Sequence, residues 1–523
     1  FSSRRRHTRS DRDWSSVVCS SDLIPPGFYR TGTDLDASGK WRDGSLVRWR
    51  DGSLRPVGGW RLHPSLGQVT TYAPRGMHAW KSLNGTRYIA AGSYSELFAG
   101  IAAGSKFDIT PSDLTDGTEI AAQNLGYGYG YYGGNGTTIL TGHTYGTPRP
   151  DTGSVVAATT WSLDNWGEYL VACSSTDGRL LEWQLGTTAD AAPITNAPVN
   201  NSGLIVTEER FIFALGAGGN PRKVAWCDKE NNTQWTALST NEAGDIELQT
   251  SGSIQTAIRT RGQTVIITDV DCFSAKYIGS PYIFGFERVG TSCGIISRKA
   301  AADVDIGVFW MGNGGFFRFD GNRVEEIPCA VHDHVFENLN VDQKSLTWAH
   351  VNAEQGEIWW FYCSNAATEI DKYVALDFKE NHWLIGDLSR TAGVPRGVFA
   401  FPMMFDSHGK LFDHEVGVSY ETSSSQQSVF AETAPISIGT GENIMQVTNL
   451  IPDEKTQGDV NISFKSRFFP NGTESTHGTF TPANPTPVRF SGRQIRMRIE
   501  GDAPYAAWKV GTMRIDAKQG GKR

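Results

Sequence analysis

Between Met77 and about Val418 the chain repeats one two-part unit, and that repeat limits what it can fold into. An apolar or alternating strand leads to a turn, and the turn to a second strand carrying a small residue beside an aromatic or aliphatic pair. The second strand recurs at Ser95-Glu96-Leu97-Phe98, Gly178-Arg179-Leu180-Leu181-Glu182-Trp183, Pro221-Arg222-Lys223-Val224-Ala225-Trp226, Ser274-Ala275-Lys276-Tyr277-Ile278, Gly315-Phe316-Phe317-Arg318-Phe319, Lys372-Tyr373-Val374-Ala375-Leu376 and Gly409-Lys410-Leu411-Phe412. Its partners, among them Glu168-Tyr169-Leu170-Val171-Ala172, Thr264-Val265-Ile266-Ile267-Thr268 and Glu357-Ile358-Trp359-Trp360-Phe361, are near-continuous apolar runs, as strands covered on both faces should be. No single unit buries its own apolar side, so the units must stack on one another. The spacing of roughly 40 to 55 residues, one double-length gap apart, is that of a four-stranded blade. An all-β chain with a β-propeller of six or seven blades over residues 77–420 is expected, the best-preserved blade lying in the stretch 218–248.

Composition agrees. With 58 glycines, 22 prolines, 11% aromatics and no long Ala, Leu, Glu, Lys run, helices should be few. A formal charge of -8 argues against a simple basic nucleic-acid binder, whose phosphate-tracking surface needs excess Lys and Arg. No run of about 18 apolar residues occurs, so no transmembrane helix is expected. Cys173, Cys227, Cys272, Cys293, Cys329 and Cys363 are widely separated and without C-x-x-C pairing, which reads as buried free thiols in a protein assembled in the cytoplasm.

The flanks differ in character. Residues 1–23 resemble a translated sequencing adapter, since Cys19-Ser20-Ser21-Asp22-Leu23 is what TGC-TCT-TCC-GAT-CT spells; this is read as an assembly artefact, disordered and set apart from the fold. Residues 24–76 form an extended segment with hairpins, signalled by two Asp-Gly turns at Asp43-Gly44 and Asp51-Gly52. A polar linker over 421–442 precedes a small C-terminal β-sandwich over 443–523, where Gln494 to Glu500 and Trp508 to Asp516 alternate apolar and charged residues. Within the double-length gap lies a Gly-Tyr stretch holding Tyr127, Tyr129, Tyr131 and Tyr132, read either as a surface loop or as a contact with a neighbouring subunit or the channel.

No P-loop of the form G-x-x-x-x-G-K-[ST] and no H-E-x-x-H occur in the sequence. His332-Asp333-His334 lacks a nameable third metal ligand and reads as a polar turn. Asp269 with Asp271, and Asp303 with Asp305, could each set two carboxylates on one strand face, the arrangement a glycosidase needs, yet neither pair has an assignable partner. Ser174-Ser175-Thr176-Asp177-Gly178 resembles the aspartate box of sialidase-like propellers only loosely and reads as a turn. The one positive concentration is Arg489, Arg493, Arg496, Arg498, Lys509 and Arg514: a solvated sheet face, or a surface for an acidic protein neighbour, with nucleic acid a further option. Arg489, Arg496, Arg498 and Arg514 join the four tyrosines as candidate subunit or partner contacts. No catalytic residue, metal or cofactor is assigned.

Three stretches carry a resemblance: Ile24-Pro25-Pro26-Gly27-Phe28-Tyr29-Arg30, the segment from Val47-Arg48-Trp49 to Gly58-Gly59-Trp60, and residues 220–250. With Arg493-Gln494-Ile495-Arg496-Met497-Arg498-Ile499 near the end, they resemble tailed-phage virion proteins related to the tail hub, or nozzle, of short-tailed phages. The resemblance implies a structural, non-enzymatic propeller subunit of the virion tail, six per ring below the portal and adaptor and in contact with tail-tip proteins. Such a ring retains packaged DNA and conducts it at ejection, touching it transiently in the lumen. A receptor- or glycan-binding tail propeller is the alternative, and a propeller glycoside hydrolase the third reading.

Overall fold

In the computed structural model, the apolar run Arg87–Gly92 pairs on one side with Met77–Lys81 and on the other with Leu97–Ile101, and Lys106–Asp108 adds a fourth antiparallel strand. This is blade 1. Blades 2 to 6 repeat the plan from inner strands Trp161–Trp166, Gly203–Val206, Ile254–Thr260, Ala301–Val304 and Trp348–Asn352, and blade 7 from Ala392–Val394. The structure describes residues 17–20, 24–123, 155–185, 189–420, 428–437, 443–501 and 507–522, with backbone alone at 17–20, 122–123 and 155. Among them the inner strands neighbour one another in cyclic order from blade 1 to blade 7 and back to blade 1, so the ring is a closed seven-bladed propeller. The apolar runs and their partners read from the sequence are the second and third strands of these blades. The double-length gap is the connection between blades 1 and 2, whose described part pairs Ala122–Gln123 with Val155–Val156. Tyr127, Tyr129, Tyr131 and Tyr132 lie outside the described residues.

Closure comes from the far end of the chain. The outer strand of blade 7 is Trp60–Leu62, antiparallel to Leu411–His414 with Trp60 opposite His414. Trp60 is 1% exposed and sits against His414 and Tyr420, ring centroids 5.3 and 4.8 Å away. Joining first and last segments in one sheet makes opening of the ring cost strand hydrogen bonds and a buried indole together.

Blades adhere through large rings. Phe211, Phe213 and Trp226 of blade 3 meet Phe284 of blade 4, the last two pairs at 4.8 and 5.5 Å in edge-on geometry. Indole N–H groups at these seams bond carbonyls of the adjoining blade: Trp80 to Glu168 O at 2.9 Å, Trp161 to Ser93 O at 2.6 Å, Trp360 to Ala300 O at 3.0 Å. These three tryptophans thus bring their apolar area without an orphaned donor. Gly294, in the lead-in to blade 5, is set by close approach: a Cβ there would lie 1.9 Å from Asp269 O. Among the described side chains, the six cysteines from Cys173 to Cys363 form no disulfide, Cys329 half-buried and the others buried.

The chain divides into two compact units, residues 58–425 and residues 1–57 with 426–523. The second contains a five-stranded sheet in the order Trp41–Ser45, Phe430–Thr433, Gln494–Gly501, Val460–Arg467, Ser475–Phe480. Its four-stranded sheet runs Val17–Ser20, Met513–Gln519, Met445–Pro452, Thr486–Gly492. Phe464 of the first meets Phe490 of the second at 5.0 Å. The hairpin of Val47–Arg50 with Ser53–Pro56 belongs to the same unit and places Trp49 against Phe28 and Trp41. No helix among the described residues is long and apolar enough to cross a membrane.

Candidate functional site at the axial mouth of the propeller

The inner strands of blades 1 to 6 each end in a short turn to the second strand of the blade, that of blade 7 in a longer loop over 395–402, and these turns surround one mouth of the axis. Those of blades 2, 3, 4 and 5 border an open cavity of about 730 Å³. Blade 2 contributes Asn165 and Gly167, blade 3 Glu208 and Arg210, blade 4 Thr260 and Arg261, blade 5 Asp303 and Asp305. Gly167 turns with a φ of 64°, in the left-handed region that glycine occupies without penalty.

Beneath the cavity, polar side chains tie the blades together. Asp164, on the inner strand of blade 2 with its side chain only 6% exposed, accepts hydrogen bonds from Val206 N of blade 3 at 3.0 Å and from Arg259 Nη2 of blade 4 at 3.0 Å. Arg259 also donates to Val206 O at 2.9 Å, so one guanidinium reaches over blade 3 to blade 2. Arg298, leading into blade 5, donates to Ser202 O at the entry to blade 3. His78 of blade 1 meets Asn165 Oδ1 at 3.1 Å. Burial holds the His78 imidazole below its usual range against the pull of Asp164, and pushes Lys299 down to about 8, again with Asp164 opposing. The inner ring is therefore crossed by charged side chains.

At the rim, Arg261 lies 3.6 Å from Asp305, both almost fully exposed, and Arg210 pairs with Glu230 at 3.1 Å while covering the Trp166 ring. Burial raises the Asp303 carboxyl above the usual carboxylate range, with Asp305 and Glu208 pushing the same way and the Thr260 hydroxyl and Arg261 opposing. Asp303 thus favours its protonated form more than an ordinary surface carboxyl does.

The described part of the connection between blades 1 and 2 lies on the opposite face. Ala121 exchanges two hydrogen bonds with the Gln343 side chain, each 2.9 Å, and Ala158 N donates to Ser345 Oγ at 3.2 Å. Arg75 holds Glu369 bidentately at 2.9 and 2.6 Å and donates to Glu119 O at 3.1 Å. The connection thereby reaches from blades 1 and 2 to segments of blade 6.

The two carboxylate pairs read from the sequence separate here. Asp303 is on an inner strand and Asp305 in the turn after it, and both face the mouth cavity. Asp269 and Asp271 lie instead around a turn, where Asp269 accepts from Ser253 N at 2.7 Å and Asp271 from Thr250 Oγ1 at 2.8 Å; their shared strand face does not exist. His332 and His334 belong to a short helix, His332–Phe336, and no group of three metal-ligating side chains occurs among the described residues. Asp177 in the Ser174 to Gly178 turn holds Arg179 at 2.8 Å. Sequence reasoning missed Asp164, Glu208, Arg210, Arg259 and Arg261. Their signal is positional, Asp164 and Arg259 lying near the ends of inner strands and Glu208, Arg210 and Arg261 in the turns that follow them, and appears only once the blade register is known.

The basic residues of the second unit divide between its two sheets. Arg496 pairs with Glu474 at 3.1 Å and also with Asp34, while Arg498 pairs with Glu500 at 3.0 Å and lies 3.6 Å from the Phe430 ring centroid. Arg489 and Arg514 are exposed on the four-stranded sheet.

No family model matches the chain, and no curated protein matches it. Among solved structures it is similar to virginiamycin B lyase from Staphylococcus aureus, at 8% identity over 68% of this chain and 99% of that chain, with a TM-score of 0.41. A streptogramin B lyase structure gives 8% identity, 68% and 97% coverage and a TM-score of 0.39. YCF48 from Cyanidioschyzon merolae gives 10% identity, 68% and 98% coverage and a TM-score of 0.35. At these values the likenesses carry no argument about chemistry.

Proposed function

We propose that the protein is a structural tail component of a short-tailed phage. As a hub or nozzle subunit it forms a ring of six copies below the portal and adaptor, retains packaged DNA and conducts it at ejection. The observation that carries this reading is the crossed inner ring. Asp164, Arg259 and Arg298 tie blades 2 to 5 to one another, which supports a braced scaffold, with DNA passing through the lumen that the copies enclose and not through a single subunit. The net charge of -8 suits a conduit that must release a polyanion. Of the stretches that resemble tail hub proteins, 47–60 ends on Trp60, the first residue of the ring-closing strand, and 220–250 holds the outer half of blade 3.

Particles assembled with the gene silenced should package DNA and then lose it, giving empty heads by electron microscopy. Silenced particles that keep their genome and eject normally would sink the proposal. A second reading, a receptor- or glycan-binding tail propeller, is favoured by the polar cavity at the axial mouth. Hydrolysis of an oligosaccharide, abolished by Asp303→Asn, would instead establish the enzymatic reading.

A further inference from the structure

We infer that the cavity at the axial mouth is a binding site for a neutral, hydroxyl-rich oligosaccharide, an inference that rests on the second reading above and not on ring assembly. A volume of about 730 Å³ is in the range of ligand-sized clefts and admits more than one sugar ring. Its walls set it apart from an apolar ligand pocket: Val206 is the one large aliphatic residue on them, and the rest is amide, hydroxyl, carboxyl and guanidinium.

Charge narrows the ligand further. Arg259 is committed to Asp164 and Val206, and Arg210 to Glu230 and the face of Trp166. Glu208 and Asp303 have no ion pair among the described residues, whereas Asp305 and Arg261 share an exposed one that a ligand can open. An anionic sugar would meet Glu208, Asp303 and Asp305. A polycation would meet Arg210, Arg259 and Arg261. A vicinal diol suits both sets, because each hydroxyl donates to a carboxylate and accepts from a guanidinium. The turns that present these groups are anchored by the bonds of Asp164, Asn165 and Arg259 below, so the site is largely formed before the ligand arrives.

The test is saturation-transfer NMR on the full chain with maltotriose, cellotriose and N,N′-diacetylchitobiose as probes, repeated on Glu208→Gln/Asp303→Asn and on the opposite-face control Arg179→Gln. At least one probe should show transfer, with apparent affinity about tenfold weaker in the double variant, as for loss of a charged hydrogen bond, and unchanged in the control. Melting temperatures of all three proteins establish that each is folded, and Arg261→Gln serves as a second site variant should the double variant unfold. Transfer that survives equally in the site variants overturns this assignment and leaves glycan binding elsewhere on the protein. No transfer to any probe overturns the assignment together with the glycan-binding reading.

Discussion

Removing the Asp164 carboxylate should loosen three blades at once. In Asp164→Ala, Val206 N–H, in a residue 4% exposed, loses its acceptor, and an unsatisfied buried donor costs about 1–3 kcal/mol. Arg259 loses its partner as well, but its side chain is 39% exposed and water replaces much of the attraction, leaving about 0.5–1 kcal/mol. The expected loss is about 2–4 kcal/mol. Asp164→Asn keeps an acceptor for Val206 and turns an amide towards Arg259 in one orientation, so it should fall between the two. Urea unfolding followed by tryptophan fluorescence measures the loss, and the double variant Asp164→Ala/Arg259→Met isolates the coupling, about 0.5–1 kcal/mol. A loss in Asp164→Ala no larger than about 0.5 kcal/mol, with no coupling to Arg259, would refute the three-blade tie.

Three further outcomes are expected. Burial holds His350 near 3, well below 6.5, so the unfolded chain takes up a proton that the folded one refuses; stability should fall as pH drops from 6.5 towards 3, and less steeply in His350→Phe, by melting temperature against pH. Lys299, pushed from 10.5 to about 8, carries its charge at a penalty in the folded state, so stability should rise with pH between those values; Lys299→Met should be more stable than wild type at pH 7, with the gain vanishing above pH 10.5. Gly294→Ala, whose Cβ would lie 1.9 Å from a backbone oxygen, should lose about 3 kcal/mol, while Gly314→Ala, with nothing within 4 Å, should stay within about 0.5 kcal/mol by the same unfolding assay.

What the sequence reveals, and what it hides, follows from where the apolar residues lie. Second strands such as Glu357–Tyr362 are buried at every position and stand out as continuous runs. Inner strands such as Met77–Lys81 are short, mixed in polarity and half-buried at most positions, so no period marks them. Trp60–Leu62 reads as part of an N-terminal hairpin region because its pairing partner is remote: Arg61 meets Asp413 across 352 residues. The same holds at the mouth. Asp303 and Asp305 are visible as a spaced pair, but Asp164 and Arg259 meet across 95 residues and leave no local motif. The Asp269 and Asp271 pair has the same spacing and is taken up by turn hydrogen bonds, so spacing alone does not separate a site from a turn. Arg496 and Arg498 look like a free basic face in sequence, whereas the acids that pair with Arg496, Asp34 and Glu474, come from distant segments.

Electron microscopy of the purified protein mixed with its portal and adaptor bears most directly on the central claim that a closed seven-bladed scaffold is assembled into a ring. Class averages should show six copies around an axis, each with a seven-bladed disc whose own centre carries no channel wide enough for DNA. Particles that stay monomeric in the presence of both partners, or subunits whose blades do not close into a ring, would contradict it.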